Sequence, residues 1–551
     1  MKDARSWRSK VLSGLILLLV WQLPLLSCSG ASPTANTTPP SGPPSAGSVD
    51  VLTYHNDNAR TGQNVNETTL TTSNVNSTSF GLLFTVPVDG KVDAQPLYVS
   101  KLSIDQASHN ALFVETEHGT VYAFDADSGI SLWQVSTLQN SESTSGDHGC
   151  GQITPEIGVT ATPVIDRNAG AHGTIYVTSM SKDGSGNYHQ RLHALDATTG
   201  AEQFGGPKEI QASYPGNGDN SSGGNVAFDP GQYAERAGLL LLNGVIYTAW
   251  TSHCDARPYT GWIIGYDQST LAQKSVLNLT PNGSEGAVWM SGAGLAADSA
   301  GNIFLLDANG QFDTTLNASG FPSQGDYGNA FLKLSSANQQ LSVADYFEVS
   351  NQSQENGHDV DLGSGGALLL PDLTDSSNKV WHLAVGAGKD SNIYVVDRDN
   401  MGKFNPNSNN IYQELPGALP GGVWSMPAYF NNIVYYAPQQ YSLEAFTISN
   451  AKLSVSLTSQ SGNIFPYPGA TPSVSANGTS NGIVWAAENS ATAVLHAYDA
   501  TDLSHELYNT NQAAGARDHF GAGNKFITPM IANGKVYVGT TGGVGVFGPL
   551  H

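Results

Sequence analysis

Apolar residues along this chain come in short bursts of about four to eight, alternating with polar positions and closed by Gly, Asp, Asn or Ser. That is the pattern of half-buried strands joined by tight turns. One burst recurs with its turn: VYAFDADSG (121–129), LHALDATTG (192–200), IIGYDQSTL (263–271), FLKLSSANQ (331–339), IYVVDRDNMG (393–402), LEAFTISNAK (443–452), LHAYDATDL (495–503) and GVGVFG (543–548). The motif aspartates are Asp125, Asp196, Asp267, Asp397 and Asp499, with Ser335 and Thr447 in the fourth and sixth copies. Asp binds turn amides and Gly accepts positive φ, so each copy predicts one strand turning into the next.

Two further strand-like runs precede most copies, among them TPVID with TIYVTS, GGALLLPD with WHLAVGAG, and TPMIANG with KVYVGT. Four short strands per unit, repeated eight times, predict an all-β, eight-bladed β-propeller of four-stranded blades. The last unit supplies three strands, while FGLLFTVPVDG (80–90) has no unit of its own. Pairing Phe80–Gly90 with Val544–Phe547 would complete the last blade, close the ring and hide both edges.

Composition agrees with this class: 61 glycines and only 23 Lys plus Arg in 551 residues leave no long helical stretch. The N-terminus is different. A basic start, an apolar run from Val11 to Leu26 and the tetrapeptide LLSC ending at Cys28 have the layout of an export signal at 1–27 and resemble a bacterial lipoprotein box. Plain secretion and a retained anchor are the alternatives. Residues 28–48, rich in Pro, Ser, Thr and Gly, read as a flexible tether, so a single folded domain spans 49–551. Exported, the protein would stand in the periplasm, on the outer membrane through Cys28, or outside the cell.

Removing 1–27 takes away four positive charges and one negative, carrying the formal charge from −23 to −26. Such a surface repels nucleic acid and anionic lipid, leaving an N-terminal lipid as the only membrane contact of what reads as a monomer. If Cys28 is lipidated, Cys150 and Cys254 remain, and an oxidising compartment with an even count favours a disulfide. His118, His253 and His358 lack paired spacing for zinc, Glu156 reads as a loop carboxylate, and no CxxCH attaches a c-type haem.

The AxDxxTGxxxW pattern resembles the tryptophan-docking repeats of the pyrroloquinoline quinone (PQQ) dehydrogenases and their non-catalytic BamB-like relatives. The resemblance covers nearly all of 50–551. Within it, HDVDLGSGGALLLPD (358–372) and GAGKDSNIYVVDRDNMG (386–402) imply Asp361 as the base and Lys389 as the group contacting the quinone. WMSGAGLAADSAGNIFLLDANGQFD (289–313) implies Trp289 for stacking and Asn309 for calcium, and TSHCDARPYTGWIIGYD (251–267) places Asp255 where the family keeps a Glu. The implied metal ligands are therefore Asp255, Asn309 and Asp361. DHGCGQITPEIG (147–158) carries Cys150 alone where alcohol-oxidising members carry adjacent cysteines; a Cys150–Cys254 bond would brace the mouth instead.

Two functions follow. With the Glu and the paired cysteines absent, the chain reads first as an envelope binding or scaffold module whose partners are envelope proteins. The alternative is a PQQ- and calcium-dependent dehydrogenase that oxidises an alcohol or sugar and passes electrons to a separate acceptor.

Overall fold

A computed structural model describes residues 50–550. The expected leader at 1–27, the lipidation position Cys28, the tether at 28–48 and Val49 lie outside the described residues, as does His551. The described chain is all-β apart from one seven-residue α-helix, Gln352–His358, and three short 3-10 turns. No helix among the described residues is long and apolar enough to cross a membrane.

Among the described residues eight sheets have four or more strands. The first is an antiparallel meander of Leu97–Ile104, Ala107–Glu115, Thr120–Asp125 and Ser131–Ser136. Six more follow in chain order, centred on 164–209, 240–278, 296–348, 368–415, 428–460 and 473–509. The eighth, built from Met530–Ala532, Lys535–Gly539 and Gly543–Pro549, takes its fourth strand from Phe80–Pro87. That strand runs antiparallel to the last, with Phe80 opposite Pro549 and Pro87 opposite Gly543.

Each sheet shares a buried apolar cluster with the next. Val114 clusters with Ile175, Tyr176 with Ile246, Ile263 with Ile303, Phe304 with Tyr394, Val385 with Val434, Tyr435 with Val484, and Leu495 with Val536. Tyr537 and Val544 of the eighth sheet then share a cluster with Leu112 and Val121 of the first.

The recurring motif ties third strand to fourth and docks one sheet on another. Asp125 accepts from the Asp127 and Ser128 amides, and Asp196 from those of Thr198 and Thr199. The carbonyl one residue after the motif Asp is left for the preceding sheet. Trp133 Nε1 donates to Ala197 O (3.1 Å), Tyr176 Oη to Gln268 O (2.8 Å), Lys333 Nζ to Arg398 O (2.7 Å) and Tyr435 Oη to Ala500 O (2.7 Å). Four residues after the motif position φ is positive in five copies, +72° at Gly129 and +70° at Gly200 but also +54° at Leu271, +60° at Gln339 and +57° at Ala451, whereas Met401 and Leu503 hold that place without it. At Gly200 a Cβ would meet Trp133 Cε3 at 2.8 Å, so the docking aromatic also needs the bare backbone.

A segment with no apolar pattern, residues 51–64, connects all eight sheets. Val51 pairs with Tyr98 of the first, and Leu52 O accepts from Ile165 of the second. Asn58 donates to Leu241 O of the third and accepts from Ala297 N–H of the fourth. Ala59, Thr61 and Gly62 carbonyls accept from Leu369, Tyr429 and Val474 of the fifth, sixth and seventh, and Asn64 donates to Ile531 O of the eighth. Every partner lies on its sheet's first strand, so those eight edges converge on one thread. At its middle stands Arg60, 0% exposed, whose guanidinium donates to Thr53 Oγ1, Tyr54 O, Leu239 O and Leu295 O.

Gly200→Ala is expected to lower the unfolding free energy by about 2 kcal/mol or more, adding a left-handed penalty of about 1–2 kcal/mol to the clash with Trp133. Gln339→Gly, at an exposed turn where Asn338 is left-handed as well, is expected to raise it by roughly 0.5–1 kcal/mol. Urea denaturation of the two variants checks both signs.

Candidate functional site

In an up-and-down meander the approach to the first strand and the second-to-third turn lie at one end of a sheet, and the motif turns at the other. Trp289, Asp359 and Asp361 come from first-strand approaches, and Asp255, Asn309 and Lys389 from second-to-third turns. The topology therefore gathers all six at the end opposite the motif turns.

Asp361 is 1% exposed, its carbonyl accepting from Lys389 N–H (2.9 Å) and its carboxylate facing Lys389 Nζ at 2.7 Å. The approach is a close ion pair without good hydrogen-bond direction, since Asp361 Oδ1 has no hydrogen-bond donor. Lys389 also pairs with Asp359, which ends the helix in a left-handed conformation (φ +56°). Asn309 Nδ2 donates to the same Asp359 oxygen at 2.6 Å, while Asn309 Oδ1 is buried without a partner.

Burial raises the pKa of Asp361 above the usual carboxylate range despite Lys389, and the charges of Asp359 and Asp255 push the same way. Burial alone would lower the Lys389 ammonium, but Asp361 and Asp359 more than offset it and hold it above the usual lysine value. Beneath the pair, Leu362 N–H donates to Asn329 Oδ1 (2.8 Å), and Asn329 Nδ2 donates to Glu355 Oε2 (2.9 Å). Burial, with Asp390 nearby, pushes Glu355 up to about 7; burial likewise takes Asp390 to about 6.

Asp255 and Trp289 form a second group. Asp255 Oδ1 accepts from Tyr259 Oη (2.7 Å) and Trp289 Nε1 (3.3 Å). The preceding residue, Cys254, is bonded to Cys150 with Cα atoms 5.4 Å apart, which fixes this loop to the one between the second sheet's short strands Ser143–Gly146 and Glu156–Ile157. The remaining candidates stay apart: His118 pairs with Glu156, His253 stacks on His148 with ring centroids 3.9 Å apart, and His358 bonds Gln354 O.

Asp361, Lys389 and Asn309 thus form one chain through Asp359, and Asp255 and Trp289 another. The three implied metal ligands are split between them. Among the described residues no three His, Cys, Asp or Glu side chains are grouped to hold a metal ion. Two members escaped the sequence reading. Asp359 had a signal, standing two residues before Asp361 in HDVD, where alternate residues share a side. Arg236 had none; AERAG (234–238) reads as solvated charge, yet Arg236 is 4% exposed with its guanidinium 5.4 Å from the Trp289 ring centre.

No protein-family profile and no curated protein sequence matches the chain. Solved structures do. A quinohemoprotein alcohol dehydrogenase from Comamonas testosteroni superposes with a TM-score of 0.58 at 15% identity, covering 91% of this chain and 80% of its own. A europium-containing methanol dehydrogenase gives 0.57 at 13% identity, covering 90% of each chain. BamB from Moraxella catarrhalis gives 0.47 at 13%, covering 85% of this chain and 97% of its own. The fold is that of the PQQ-dehydrogenase-like propellers; at these identities the likeness is one of fold.

Lys389→Met strands a buried carboxylate and is expected to cost about 3–5 kcal/mol of stability, with Lys389→Arg costing much less, measured by denaturant unfolding. A second expectation concerns pH. A carboxyl raised on folding binds its proton more tightly in the native state, so between about 4.5 and about 7 the unfolded chain deprotonates first and stability falls as pH rises. Glu355→Gln is expected to flatten that fall, by up to roughly 3 kcal/mol at pH 8 relative to pH 4.5. Thermal midpoints across pH 4.5–8 provide the readout.

Proposed function

We propose that this chain is an exported, PQQ-like eight-bladed propeller protein, lipid-anchored through Cys28, that acts as a binding module at the cell envelope and whose quinone site is degenerate. The observation that carries this reading is the placement of Lys389. Its ammonium pairs with both Asp359 and Asp361, so the carboxylates that would face a divalent cation already share the chain's own lysine. Calcium takes six to eight oxygen ligands, roughly, with several carboxylates among them. Here Asp361 faces Lys389, and Asp255 is occupied by Tyr259 and Trp289. These donors do not fit a calcium-held quinone, and no chemical step is derived through one.

One observation favours the second reading, a PQQ- and calcium-dependent dehydrogenase acting on an alcohol or sugar, as the names of the alcohol and methanol dehydrogenases of like fold suggest. Asn309 Oδ1 is a buried oxygen with no donor, beside a buried carboxylate of raised pKa. On that reading Asp361 is the base, Lys389 contacts the quinone, Trp289 stacks on it, and electrons leave to a separate acceptor.

The two separate in one titration. The mature protein is mixed with PQQ and Ca²⁺, and quinone binding and dye reduction are followed with a panel of alcohols and sugars. The binding-module reading expects no tight quinone binding at micromolar concentration and no turnover. Tight binding with turnover that Asp361→Asn abolishes would replace it with the dehydrogenase.

A further inference from the structure

Carboxyl groups meet different surroundings at the two ends of the sheets. At the motif turns they have partners: His109 Nδ1 stands 2.8 Å from Asp125, His172 Nδ1 2.9 Å from Asp196, and Lys274 Nζ 3.3 Å from Asp267. Burial would raise these three, but turn hydroxyls and amides, together with those side chains, hold all of them below the usual carboxylate range.

The opposite end, the mouth, has carboxyl groups of another kind. Glu115 is the last residue of a second strand, Ala107–Glu115, Glu444 the first of a third, Glu444–Ser449, and Glu348 the last of a fourth, Ser342–Glu348. Glu235 pairs with Trp250 near the end of the second strand Val245–Ser252. In an up-and-down meander each of these positions lies at the mouth. The four belong to the first, sixth, fourth and third sheets, so they are distributed along that end and do not form one cluster.

Glu115 and Glu348 are 0% exposed, Glu235 6% and Glu444 3%. Among the described residues both oxygens of Glu115 and of Glu348, Oε2 of Glu235 and Oε2 of Glu444 have no hydrogen-bond partner. The groups that face them do not compensate. Glu348 meets the further acids Glu355 and Asp307, with Tyr346 beside it. Glu235 Oε1 accepts from the Ala249 N–H (3.0 Å), with the Thr178 hydroxyl and Tyr266 nearby, and no charged group acts on Glu115 or Glu444.

A buried carboxylate without donor or cation is costly, so such a group keeps its proton well past the usual carboxylate range or ionises only as water enters to solvate it. Burial pushes Glu115 and Glu235 up to about 8 and Glu444 to about 7, and raises Glu348 as well. Each is raised on folding, so the unfolded chain gives up its protons first. The stability these groups contribute is whole below about pH 4.5 and is lost as pH rises through about 7 to 8.

We infer that the mouth is a conformational device worked by protonation: the four glutamates keep the sheet ends shut while they hold their protons, and their ionisation admits water there while the motif-turn end stays closed. This goes beyond the binding-module reading and stands whether or not quinone binds. Its consequence is that the loops gathered at the mouth are held in acid and loosened in base.

Hydrogen exchange of the full mature protein, read by mass spectrometry at about pH 5 and about pH 9 with intrinsic rates divided out, tests this. Peptides covering 111–121, 344–350 and 436–446 are expected to lose protection at least tenfold at the higher pH and to regain it on return. Those covering the motif turns 125–131, 196–202 and 267–273 are expected to change less than about threefold. Gln has the shape of a protonated Glu and cannot ionise, so Glu115→Gln combined with Glu444→Gln is expected to keep 111–121 and 436–446 protected in base while 344–350 still opens. Should that variant not fold, the infrared band of protonated carboxyl in the unmodified protein decides: it is expected to persist at about pH 6.5 and to fade by about pH 9. Equal loss at both ends, unchanged protection at the mouth, a folded variant that opens as the unmodified protein does, or a carboxyl band already gone at about pH 6.5 would each overturn the inference.

Discussion

A strand that faces an axis has backbone groups on its inner edge that no neighbouring strand of its own sheet can satisfy. In this protein those edges belong to the first strands of eight sheets, and residues 51–64 meet them one after another. The thread is polar because its work is hydrogen bonding, and it is held from within by Arg60. The docking of motif turns, the shared cores and the gathering of the site loops at the opposite end all presuppose that these edges converge.

The sheets were legible because they repeat. An Asp that binds the next amides, followed four residues on by a residue of positive φ, is a local rule, and it is met at Asp267 with Leu271 as well as at Asp125 and Asp196 with glycine. Partnership between Phe80–Pro87 and the last strand was legible for a different reason: a unit one strand short and a strand without a unit imply each other. The thread was not legible. The run TYHNDNARTG (53–62) says only loop, and nothing in it names partners up to several hundred residues away.

The site divides in the same manner. Asp361 and Lys389 were found through their spacing and family resemblance, and they do meet. Their oxygens' actual partners depend on loops from neighbouring sheets, which is why Asp359 enters as the link to Asn309 and why Asp255 is turned toward Tyr259 and Trp289. Arg236 is the strongest case. Its burial comes from Phe526, 290 positions along the chain, so no window of sequence could have marked it as other than a surface charge.

The thread also orders events in time. A nascent chain presents residues 51–64 before any of the eight edges they bind exists, and the strand that completes the last sheet is likewise made first and used last. Loop closure between the two ends is therefore the concluding step of assembly, and the high contact order it imposes makes for slow folding. Until then eight unpaired edges stand open to other chains, so the interval before closure is when this molecule is most exposed to aggregation.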